Sequence, residues 1–215
     1  MPTLSLGEPD PELLALPAPP KRERALTVIV MAVTSLAALA LAWALLSEAR
    51  YAVSTSAPVD LGALVDAQPD ASMANRYVRG EGLLGTHGAI RYGRAAESDS
   101  FRLVPIAGND RIWVEIRVPE GFEGPRFIPP TLMAGRLVPF DRVGLRHSSL
   151  RAAVEKETGV RVPDGAWILI DGSSPRAARW ALGLVVLFAL FGVYNIVGIF
   201  RILRKVRDDG GRQAT

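Results

Sequence analysis

The chain has 215 residues, no cysteine, two histidines and a formal net charge of +3, with 49% hydrophobic and 22% charged residues. The missing cysteines exclude a disulfide scaffold, a thiol nucleophile and any thiolate metal site, and two histidines are too few for a multi-histidine site. The small charge gives no argument for nucleic acid, while a mean hydropathy of +0.20 is high for a soluble protein.

The first 25 residues carry six prolines and a net charge of −1. They read as an extended or disordered tether, with a Leu13–Leu16 patch as an alternative docking segment. Leu26 to Leu46 then runs 21 residues without a charge. At about 1.5 Å per helical residue it spans the roughly 30 Å hydrocarbon core of a bilayer. Its apolar run is longer than a signal-peptide core and the segment before it is Pro-rich, so an uncleaved anchor is expected.

The region 47–179 is long enough for one domain with its own core. Asp60 to Ala67 reads as a short helix. Arg76–Leu84 reads as a strand in which Gly80 and Gly82 mark a bend or a close backbone approach. Ala89–Arg94, Ser100–Ile106, Arg111–Val118, Thr131–Pro139 and Gly165–Asp171 read as further strands. Gly108-Asn109-Asp110 forms a hairpin turn between the third and fourth of these six. RIWVEIRV alternates: Ile112, Val114, Ile116 and Val118 on one face, Arg111, Trp113, Glu115 and Arg117 on the other. That pattern predicts one buried and one wet face. His147–Thr158 reads as a helix, capped by Ser148 or Ser149 and ended by Gly159. The expected fold class is a membrane protein of α+β type. Two transmembrane helices flank a β-rich, barrel-like domain of five or six strands with one or two helices.

Trp180 to Phe200 is a second uncharged run of 21 residues. Lys21, Arg22 and Arg24 precede the first run, and Arg201, Arg204, Lys205 and Arg207 follow the second. The positive-inside rule thus predicts cytoplasmic termini and a periplasmic central domain in a bacterial inner membrane. Arg50, Arg176 and Arg179 lie on the other side, beside Trp43 and Trp180 at the expected outer interface. The domain carries a net +1 and the C-terminal tail +3, so the positive excess is juxtamembrane.

No catalytic constellation stands out. His87 sits in a Gly-rich turn and His147 at a helix start, each without a partner in sequence. Asp60, Asp66 and Asp70 lack calcium-loop spacing, and GEGLLG at 80–85 does not open a helix after a strand. No catalytic, cofactor or metal residue is assigned. Two groups remain as candidates. Arg111, Arg117 and Arg136 form a potential ligand face for a carboxylate, against the alternative of cross-strand ion pairs. Asn195, costly in lipid without a partner, with Gly183, Gly192, Gly198, Ala38 and Ala42, forms a potential helix-packing surface. Met31, Thr27 and Thr34 fall near the Asn195 level on the first span. The two helices pair with each other or grip a larger membrane complex.

The layout of a span at each end of an external β domain resembles the surfeit-locus family of cytochrome c oxidase assembly proteins. NRYVRGEG at 75–82 resembles that family's first strand, FRLVPIAGNDRIWVEIRVP at 101–119 its hairpin, and LMAGRLVP at 132–139 the strand that follows. The histidine linked to haem in that family has no counterpart, so no cofactor is expected. The resemblance implies a non-enzymatic assembly factor or accessory subunit of an integral membrane complex. The alternative from the residues is an envelope ligand-binding or sensory module.

Overall fold

The computed structural model describes residues 21–94, 97–122, 127–142, 147 and 149–204. The Pro-rich tail with its Leu13–Leu16 patch, the basic residues beyond Arg204, and Ser148 lie outside the described residues. The chain divides into two compact units. One contains residues 1–43 and 186–215 and is built on helix α1 (Lys21–Ala44) and most of helix α4 (Trp180–Leu203). The other, Ala44–Val185, is an α+β domain.

The α+β domain holds a seven-stranded mixed sheet. Its strands are β1 (Val59–Ala63), β2 (Arg76–Glu81), β3 (Ile90–Gly93), β4 (Ser100–Ile106), β5 (Asn109–Val118), β6 (Leu132–Pro139) and β7 (Trp167–Asp171). The spatial order is β1-β2-β6-β7-β5-β4-β3. The β1–β2 and β5–β7 pairs are parallel and the other four antiparallel. Helix α2 (Leu46–Ala52) precedes β1, and helix α3 (Leu150–Thr158) lies between β6 and β7.

The sheet is open, which corrects the expected barrel. Its ends curl toward each other without joining along a strand. Leu84 bridges Ile106, and Asn109 Nδ2 donates to the carbonyls of Leu64 and Ala67 at 2.9 and 3.0 Å. The curled face buries Leu64, Val78, Ile106, Ile112, Val114, Ile116, Met133, Leu137, Trp167 and Leu169. Gly80 and Gly82 are the close approach expected of them: a Cβ at Gly80 would meet Leu64 Cδ2 at 2.5 Å. The expected helix at Asp60–Ala67 is strand β1 and a turn. Gly62 adopts φ +65°, and its N–H donates to Asp60 Oδ1 at 2.9 Å. Leu64 N–H donates to the Glu81 carbonyl at 2.7 Å. Leu64 lies under the sheet, because a left-handed residue at Gly62 interrupts any helical path.

The second face is covered over its middle, which corrects the expected wet face there: Trp113 and Glu115 are buried, while Arg111 and Arg117 on the same face stay exposed. Leu150 and Val154, one turn apart on α3, pack with Phe140 and Val162 on Ile90, Leu103, Trp113 and Ile168. Trp113 is 1% exposed, and its ring meets Phe140 edge-on at 6.1 Å. Gly159 ends α3 at φ +70°, its N–H donating to Glu155 O at 3.1 Å. Ser149 occupies the N-cap position but its hydroxyl makes no capping bond.

Gly135 is the tightest point of the sheet. A Cβ there would run into the Ile170 carbonyl oxygen on β7, which is backbone and cannot swing aside. Gly135→Ala is therefore expected to destabilise the chain by about 3 kcal/mol or more, against within about 0.5 kcal/mol for Gly93→Ala, where the added Cβ meets nothing within 4 Å. Thermal melts of the two purified variants check the contrast.

Candidate functional site

Three groups of residues carry the geometry relevant to function, two in the α+β domain and one in the helical unit. The first is the junction through which both ends of the α+β domain leave it. Leu45 alone separates α1 from α2, and Arg179 alone separates the 3₁₀ turn Pro175–Ala178 from α4. Tyr51 and Ala52 of α2 pack directly on Ala178, with Tyr77 and Leu182 alongside. The Tyr51 hydroxyl donates to the Ser173 carbonyl, and burial pushes that hydroxyl's pKa up against the opposing charge of Arg136. The entry and exit of the domain are thus one packed element.

Arg136 of β6 fastens this element to the sheet. It is 8% exposed. Its Nε donates to Asn75 Oδ1 and its Nη1 to Glu48 Oε2, both at 2.6 Å. Its guanidinium carbon lies 4.7 Å from the centre of the Tyr51 ring. Asn75, left-handed at φ +63°, uses its Nδ2 to donate to Ser47 O at 3.1 Å. The planar fork of arginine suits this arrangement, since one side chain binds two acceptors and stacks on a ring at once.

The second group is a buried ion cluster on the α3 face. Glu115, in the middle of β5, is 2% exposed, and His147 is 7% exposed. Glu115 accepts from the Tyr92 hydroxyl at 2.8 Å, from Arg94 Nη2, and from His147 Nε2 at 2.6 Å. Burial alone would raise the Glu115 carboxyl pKa. The hydrogen bond and charge of His147, the charge of Arg94 and the Tyr92 hydroxyl outweigh that and hold it below the usual carboxylate range. The Glu115 contact requires a proton on His147 Nε2, so the 3.1 Å approach of Arg94 Nη2 to the same nitrogen is a meeting of two donors. Arg94 also lies over the Phe101 ring at 3.7 Å. Its Nε is the one buried side-chain donor without a partner among the described residues. A carboxylate that already takes three donors is a weak base, and its partners are held rather than poised.

The third group is the contact of α1 with α4. Ser35, Ala38 and Asn195 are buried there. A Cβ at Gly192 would meet Leu39 at 3.2 Å, and one at Gly198 would strike Met31. The Asn195 amide satisfies itself locally, Nδ2 donating to Phe191 O at 2.9 Å. Thr27 and Thr34 likewise bond back to carbonyls of their own helix, at 2.9 Å to Glu23 and Val30. Gly192, Gly198, Asn195 and Ala38 are therefore packing residues between the two helices. Ala42 is half-buried, and a Cβ at Gly183 would meet nothing within 4 Å.

The three candidate ligand arginines are not gathered. Arg136 is inside the junction. Arg117 is exposed and pairs with Asp99, and Arg111 is exposed about 20 Å further along the same strand, at about 3.3 Å per residue. His87 is exposed beside an open cleft lined by Thr86, Pro105, Asp110 and Arg161. Among the described residues no group of three His, Asp or Glu side chains is arranged to hold a metal ion. No family model, curated protein or solved structure matches this chain.

Two measurements follow. Removing Glu48 strands a buried guanidinium, so Glu48→Ala is expected to cost about 3 kcal/mol, and Arg136→Ala less, about 2 kcal/mol, because the Glu48 carboxylate it leaves is 35% exposed and partly solvated. Their double variant costs less than the sum, by a coupling of at least about 1 kcal/mol; urea melts of the four proteins read it. At Glu115, the folded carboxyl pKa lies below the unfolded value. Its stabilisation is therefore present above the unfolded pKa, near the ordinary 4.5, and is lost as pH falls through the folded one. Wild type is expected to lose more stability than Glu115→Gln between neutral pH and pH values below that point, measured by melting temperature across a pH series.

Proposed function

We propose that the chain is a non-enzymatic, two-span protein of the bacterial inner membrane, an assembly factor or accessory subunit of a larger integral membrane complex. The observation that carries the reading is the junction. Both ends of the α+β domain leave through one packed element, and each continues without a linker into a helix long and apolar enough to cross a membrane. Only 17% and 11% of the two apolar stretches is buried. A core helix of a soluble protein would be largely enclosed, so lipid is the natural solvent for these surfaces. With the basic flanks inside, the α+β domain is periplasmic and both termini are cytoplasmic.

The non-enzymatic part rests on how the ionisable groups are used. Arg136 and Glu48 hold the junction, Arg117 pairs with Asp99, and Glu115 with His147 forms a saturated cluster. Among the described residues no serine or threonine hydroxyl bonds to His147, so the acid–histidine pair lacks the nucleophile of a hydrolytic triad. The surfeit-locus resemblance in the strands 75–82, 101–119 and 132–139 points to a respiratory oxidase as the partner. A ligand-binding module using Arg111, Arg117 and Arg136 is not favoured, because the sheet places these residues apart.

The test is purification of the tagged full chain in mild detergent from its own membranes. A multi-subunit oxidase should co-purify in near-stoichiometric amount, and a deletion strain should lose assembled oxidase, read by its haem absorbance. A clean monomer together with normal oxidase content in the deletion strain overturns the reading.

A further inference from the structure

Three arginines at the junction are left over by everything above. Arg50 is on α2, Arg176 in the 3₁₀ turn, and Arg179 immediately before Trp180; all three are exposed. Among the described residues none has a carboxylate partner. Glu48, the acid nearest on α2, is committed to Arg136, and Asp171 accepts the backbone N–H groups of Ala134 and Gly172. Arg50 adjoins buried Tyr51, and Arg176 and Arg179 flank buried Ala178, the residues through which the two segments pack. The cations are therefore presented from one fixed element.

Depth follows from the chain path. Trp180 is 56% exposed, and an indole at the end of a span settles at the membrane–water interface. Arg179 is next to it. Arg176 is three residues further, about 6 Å of 3₁₀ rise, and Arg50 is six residues beyond Ala44, so it lies at most about 9 Å from that span end whichever way α2 turns after Leu45. The polar headgroup layer is about 5–8 Å thick on each side of the hydrocarbon, so all three guanidinium groups reach it by extending their stems.

We infer that Arg50, Arg176 and Arg179 form a docking surface for anionic phospholipid headgroups on the periplasmic leaflet. The inference rests on the two-span reading and adds a partner to it. Guanidinium groups bind phosphate oxygens through paired N–H donors. Three of them distributed around two adjoining exits suit several separate headgroups better than one continuous peptide. The bound headgroups also hold the junction at a fixed depth, complementing the basic flanks Arg22, Arg24, Arg201 and Arg204 at the opposite ends of the helices.

The experiment uses the full chain in mixed micelles of detergent with phosphatidylglycerol or with phosphatidylcholine, and counts lipids retained per chain by native mass spectrometry. Wild type should retain phosphatidylglycerol preferentially. The triple variant Arg50→Gln, Arg176→Gln, Arg179→Gln should lose at least tenfold of that preference, since each cation is worth on the order of fivefold at an anionic surface. The corresponding lysine variant should keep most of it, and added salt should erode it. Loss confined to Arg201→Gln with Arg204→Gln, or equal retention by the glutamine variant and wild type, overturns the inference. So does removal of the preference by inorganic phosphate, which would mark a simple anion site. Should the glutamine variant melt early, the lysine variant and the salt series decide. Release of wild type from membranes by alkaline carbonate would instead sink the two-span reading itself.

Discussion

The Arg136 guanidinium is the constraint on which the arrangement of the α+β domain turns. A buried cation is costly unless its donors are met and its charge is balanced. Here the balance comes from two different segments: Glu48 and Tyr51 from α2, and Asn75 from the residue before β2. Satisfying one side chain therefore fixes where α2 lies on the sheet. Tyr51 then fixes the return segment through Ser173. The unusual backbone of Asn75 belongs to the same set, since the left-handed turn aims one amide at both Arg136 and Ser47. Asparagine tolerates that conformation better than any residue but glycine, and only asparagine also supplies the acceptor and donor.

The centre of the sheet is buried on both faces, and that decides where charge can go. The parallel β5–β7 pair needs a crossover, and α3 is part of it, lying on the face that the alternation of β5 marks as polar. Once α3 covers that face, Glu115 cannot be left alone. Tyr92 and Arg94 reach it from β3 and the residue following, and His147 reaches it from just before α3. The cluster stitches the start of the helix to β3 and β5. It substitutes a polar pin for apolar packing, a device suited to fixing register rather than to raising stability.

Much of this was legible in the sequence, and the failures have physical causes. Strands β4 to β7, both apolar helices and the Gly159 cap follow from local pattern, because the alternation, length and turn chemistry that specify them are contained in a few adjacent residues. The helix expected at Asp60–Ala67 failed because the left-handed Gly62 and the pairing with β2 decide the conformation. The wet face failed only at its middle, and for a different reason. Arg111, Glu115 and Arg117 dominate the count of side chains on that face, and Trp113 was the dissenting signal. A large indole between charges on one strand face implies a cover, and a covered face makes Glu115 a buried acid that must be paired. His147 and Arg94 could not be matched to it from sequence, since they lie 32 residues after and 21 before it. Arg136 was read as a ligand arginine and instead holds the junction, because its acceptors Glu48 and Asn75 lie 88 and 61 residues away and cannot be matched to it from sequence.

On the two-span reading proposed above, the domain has little need of the disulfides that its cysteine-free sequence excludes. A domain in an oxidising compartment usually gains from covalent cross-links when its core is small. Here the two chain ends that a disulfide would tie together are already held by the Tyr51–Ala178 packing and the Arg136–Glu48 pair. If both continue into a bilayer, their separation is restrained in the unfolded chain as well. Closing that loop is then an entropic cost met before the domain folds, and a disulfide across the same ends would remove little further freedom from the denatured ensemble. On the proposed two-span reading, anchorage at both ends and the ion pair at the junction would thus do the work of a cross-link, while the junction's outer arginines stay exposed.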